Sequence, residues 1–79
     1  MYTDKMKMAF HSIPAPKNFS IEVFDNENFI CLRADPKKLI LLGHDEKIEA
    51  VQYMFKVKKV LEDCGALVIL VREALEDGK

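Results

Sequence analysis

No apolar run in the 79 residues approaches the ~20 that a membrane-spanning helix needs, and residues 1–10 lack the continuous hydrophobic region of a signal peptide. Both absences predict a cytoplasmic chain. An excess of one charge is missing too: twelve basic and thirteen acidic residues give a formal net charge of −1, which provides no global field to hold nucleic acid or an anionic membrane. Any such binding must be local. Cysteine is sparse, and Cys31 and Cys64 lack the close pairing of a zinc or redox motif. They read as buried free thiols rather than a disulfide.

Chemistry-bearing clusters are equally scarce. His11 and His44 stand outside any spaced metal-ligand pattern. His44, Asp45 and Glu46 are consecutive, and adjacent residues rarely converge on one ion; entry into a helix accounts for all three. Leu42-Gly43-His44-Asp45 puts a glycine between two elements, but it lacks the further glycines and the lysine of a phosphate loop. Asp45 and Glu46 would also repel an anion there. Neither cysteine has a neighbour that would activate its thiol. The expectation is a protein with no catalytic residues, no metal and no cofactor, and hence not an enzyme.

What the chain does contain is apolar surface. It is 49% hydrophobic and 32% charged, a globular balance, at a length where one core is marginally sufficient and association often adds burial. Its organising unit covers residues 38–72: a short strand over 39–42, a long helix over 45–64 and an apolar strand over 67–71. Asp45 is suited to cap the helix, with Glu46 and Glu49 against the positive end of its dipole. Gly65 supplies the left-handed stop. At 100° per residue, Ala50, Tyr53, Met54, Val57, Val60, Leu61 and Cys64 form the core arc. Ile48, Val51 and Phe55 form a second apolar group, to be covered by the N-terminal segment or by a partner. Leu67-Val68-Ile69-Leu70-Val71 is apolar on both strand faces, and a one-sided sheet cannot bury both. Asp35-Pro36 is also a helix-start signal, so residues 37–42 have a helical turn as their alternative.

Alternation of Met6, Met8 and Phe10 with Lys5, Lys7 and His11 predicts an N-terminal strand, and Pro14 and Pro16 an extended linker, within residues 1–18. Residues 19–34 read as a hairpin closed by Asp25-Asn26-Glu27-Asn28. Placing Phe24 opposite Phe29 puts Phe19, Ile21, Val23, Ile30, Leu32 and Ala34 on the core face and leaves those two aromatics as an outer cross-strand pair. Residues 73–79 are short and charged, expected to fray or form one helical turn.

The expected architecture is therefore a single α+β domain: a mostly antiparallel sheet, built from a hairpin and a β-α-β crossover unit, with one long helix on one face. The expected function is non-catalytic protein–protein interaction, as a homodimer and as a small adaptor, regulator or inhibitor of a larger protein. Its contact residues would be Phe24, Phe29, Ile48, Val51 and Phe55, and the N-terminal strand would pack in its own subunit or swap into the next. The alternative is a small nucleic-acid-binding protein using Lys37, Lys38, Lys56 and Lys59. Interleaved acids favour a solvated charged face over a phosphate groove for these lysines.

Overall fold

Six elements follow one another in the computed structural model, which describes residues 2–71: α1 (Asp4–His11), β1 (Ile21–Asp25), β2 (Ile30–Ala34), α2 (Pro36–Leu41), α3 (His44–Asp63) and β3 (Val68–Val71). The expectations for residues 72–79 lie outside the described residues. The class is α+β, with α3 packed on a three-stranded sheet of order β1-β2-β3. Pairing is antiparallel between β1 and β2 and parallel between β2 and β3, so the sheet is mixed rather than mostly antiparallel.

The expected N-terminal strand is a helix. No residue from Asp4 to His11 is β-branched, and lysine, methionine and alanine all favour helix. Thr3 caps it, its Oγ1 accepting from the Met6 N–H at 3.2 Å. The helical spacing brings Met6 into the core and Phe10 and Ile13 against it, leaving Met8 outside. The segment is a helix rather than a strand, and it packs on α3.

The expected strand over 39–42 is also a helix, the alternative that Asp35-Pro36 had signalled. Asp35 accepts from the Lys37 N–H at 3.0 Å and Pro36 occupies the first turn. The crossover to β3 therefore begins at β2 and carries α2 and α3. Leu39 and Leu42 point into the core, whereas Ile40 and Leu41 are exposed.

In α3, Gly43 rather than Asp45 is the N-cap residue, and the Glu46 carboxylate accepts from the Gly43 N–H at 2.9 Å. At the other end the Gly65 and Ala66 N–H groups donate to the Glu62 and Leu61 carbonyls at 2.9 and 3.2 Å. That is a Schellman motif, with Gly65 at φ 97°. A Cβ at Gly65 would meet nothing within 4 Å, so Gly65→Ala tests the backbone alone. The expected cost is about 1–2 kcal/mol, read as a lower urea midpoint at unchanged slope.

The hairpin register differs from the expected one by two residues: Ile21 pairs with Ala34, Val23 with Leu32 and Phe24 with Cys31. Asn26 starts the turn, its N–H donating to the Phe29 carbonyl at 2.9 Å. Phe29 thus closes the loop instead of pairing with Phe24. An even shift preserves the faces, so Ile21, Ile30, Leu32 and Ala34 are buried as expected, together with Ala50, Tyr53, Met54, Val57 and Leu61 of α3. Phe19, just outside the strand, meets Tyr53 edge-on with ring centroids 6.2 Å apart. Burial pushes the Tyr53 hydroxyl above its ordinary pKa. Asp25, at the end of β1, accepts from the Tyr2 N–H at 3.1 Å, which holds its carboxyl below the usual range.

Candidate interaction surface

With the helices gathered on one side, alternate residues of the three strands point to the other. Val68 is buried in the core while Ile69, its neighbour, is 44% exposed. The two register sets join at β2, where Phe24 pairs with Cys31 and Cys31 with Ile69. These three residues form one row across the whole sheet. Phe24 is 47% exposed, Cys31 is half-buried, and Leu67, which follows the same alternation before β3, is 59% exposed. Phe29, half-buried, lies in the turn just before β2.

The next row pairs Glu22 directly with Arg33, both exposed. Opposite charges across an antiparallel pair are mutually favourable, and they border the apolar row at one end without giving the face a net charge. Large apolar side chains of this number on one sheet face, bordered by two residues of opposite charge, have the composition of a contact patch rather than of a solvated face.

A second apolar group lies on α3. Ile48 and Phe55 are 46% and 50% exposed and Val51 is half-buried. At 100° per residue they centre roughly 150° from the core arc, and the N-terminal segment lies along Glu49, Gln52, Tyr53 and Lys56 instead. The five expected contact residues therefore divide between two surfaces: Phe24 and Phe29 on the sheet, Ile48, Val51 and Phe55 on the helix layer. Sequence reasoning left Cys31, Leu67 and Ile69 out of the site. The signal was present in the two-faced apolar run 67–71, but only the observed register sets Ile69 in line with Phe24.

The four lysines do not share a groove. Lys38 borders an open cavity of about 410 Å³ with Asn18, Leu41, Leu42 and Glu46, and its ammonium donates to the Ser20 hydroxyl at 3.3 Å. Lys56 borders another, of about 240 Å³, beside Glu49 and the proline linker. Each has an acid next to it. Lys37 and Lys59 are exposed on their helices. Cys31 and Cys64 are free and half-buried, and among the described residues no three His, Cys, Asp or Glu side chains are grouped to hold a metal ion. No described helix is long and apolar enough to cross a membrane. Compared with protein-family models, curated proteins and solved structures, the chain matches none.

Proposed function

We propose that this chain is a non-catalytic protein–protein interaction module whose contact surface is the open face of its sheet, and that it serves as a small adaptor, regulator or inhibitor through that contact. The observation that carries the reading is the row Phe24, Cys31, Ile69 with Leu67 beside it. Burying such side chains is worth about 1.5–3 kcal/mol each before the costs of association. The uncovered group Ile48, Val51 and Phe55 on the opposite layer gives the module a second place for a partner. For the lysines, the division between two cavities, each with a glutamate, speaks against a common phosphate track.

Purification from the native host, followed by native mass spectrometry, tests the reading. The wild-type chain is expected to carry a stoichiometric second polypeptide, and a Phe24→Ser, Ile69→Ser variant of unchanged circular dichroism is expected to lose it. A partner retained by that variant, or absent from both proteins, overturns the assignment to the sheet face.

A further inference from the structure

The two edges of the sheet differ in chemistry. The Ile30 N–H donates to the Leu67 carbonyl at 2.8 Å. With Ile30, Cys31 and Leu32 in register with Val68, Ile69 and Leu70, the parallel ladder turns the backbone groups of Leu67, Ile69 and Val71 toward β2 and those of Val68 and Leu70 away from it. Among the described residues β3 is the last strand on its side of the sheet, so the N–H and C=O groups of Val68 and Leu70 line an edge. We propose that this edge pairs antiparallel with β3 of a second copy of the chain, about a two-fold axis at Ile69, joining two sheets into one of order β1-β2-β3-β3-β2-β1.

Edge strands are ordinarily guarded by charge, proline or a bulge, because their backbone groups recruit other chains. β1 follows that rule. Glu22 and Asp25 lie along it, and the Asp25 carboxylate accepts the Tyr2 N–H at 3.1 Å, so pairing with a second β1 would bring acids of both copies together. β3 departs from the rule. Leu67-Val68-Ile69-Leu70-Val71 holds no charged residue, proline or glycine, which is the composition of a strand with neighbours on both sides.

The register is what names the second copy. Antiparallel pairing about Ile69 sets Val68 opposite Leu70 of the other copy, and each pair exchanges the N–H and C=O groups that point outward. Ile69 meets its own equivalent and Leu67 meets Val71, so every cross-strand pair is apolar and no charge faces its like. The two β2 strands, which carry Arg33, lie three strand spacings apart, roughly 14 Å. A strand of another protein would have to be equally uncharged and equally free at its edge, and β3 itself has both properties.

This inference goes beyond the interaction reading above and leaves the open face uncovered. The row Phe24, Cys31, Ile69 runs on into Ile69, Cys31 and Phe24 of the second copy, which doubles the surface offered to a different protein. α3 packs on β3, so the helix layers also come alongside each other at the seam. The strand pairing itself contributes about 0.5–1.5 kcal/mol per hydrogen bond, and the dimer is accordingly weak and in exchange with monomer.

Residue-resolved amide hydrogen exchange of the full chain, measured by NMR across a concentration series alongside sedimentation, tests it. At high concentration a dimer is expected in which the Val68 and Leu70 amides are slowed about tenfold or more relative to dilute protein. The Ile69 amide, which points toward β2 within the chain, should be slow throughout. Leu70→Pro removes an outward N–H without removing a hydrogen bond between β3 and β2, and should abolish the dimer while Ile69 stays slow; should that variant fail to fold, exchange in the wild-type chain still decides. A dimer with Val68 and Leu70 fast overturns the inference, since another surface is then in use. A strict monomer with both amides fast overturns it, and so does a monomer with both slow at every concentration, which means that the chain covers its own edge. The sheet-face reading fails on a different result, a partner that the Phe24→Ser, Ile69→Ser variant retains.

Discussion

Replacing Phe24 and Ile69 together with serine is expected to raise the Kd of association through the proposed sheet face about 30-fold or more while lowering the stability of the monomer by only about 1–2 kcal/mol. The two effects separate because the residues occupy different environments in the monomer and the complex. Both are about half exposed in the monomer, so the folded chain gains little from them and loses mainly strand preference when they are replaced. In a complex both become covered, and central apolar anchors typically cost more than 1 kcal/mol each when truncated. Sedimentation gives the first quantity. Urea unfolding at a concentration below the Kd gives the second, because association stabilises the folded state by mass action. Unfolding of the variant with no prior change in assembly would place these residues in the core and refute the surface assignment.

The long helix was legible because start, stop and periodicity agreed: the first-turn acids, the glycine at φ 97° and the arc from Ala50 to Leu61 each constrain the same element. The hairpin faces were legible for a different reason. A two-period pattern fixes which residues turn inward, but not by how many pairs the strands are offset, so an error of two residues left every face intact and still misplaced Phe29. Met6, Met8 and Phe10 satisfied alternation, yet Met6 and Phe10 are also four apart, and intrinsic helix preference decides between the two readings. The site suffered most from this limit. The alignment of Phe24 with Ile69 in one row through Cys31 depends on β3 pairing in parallel with β2, and the link between those strands is a two-helix crossover whose register no local signal specifies.

The opposite layer gives the largest expected loss of stability. Leu61 is fully buried, and its carbonyl accepts the Ala66 N–H that closes α3. Leu61→Ala leaves that hydrogen bond in place and improves helix preference, so the loss comes from removed contacts and the cavity behind them. Such truncations cost about 2–5 kcal/mol. A chain of this length has roughly 4–12 kcal/mol in total, so the midpoint of thermal unfolding should fall by roughly 10–30 °C. Ile69→Ala removes a similar amount of hydrocarbon from the open face and should cost the monomer about 1 kcal/mol or less, since much of that side chain is already in water. Calorimetry of the two variants below the Kd decides the matter. If Leu61→Ala stays within 1 kcal/mol of the parent, or if Ile69→Ala matches it, α3 does not seat its arc on the sheet and the open face is the true core. A large effect at Leu61 and a small one at Ile69 would mean that the chain folds on one face of its sheet and keeps the other for contact.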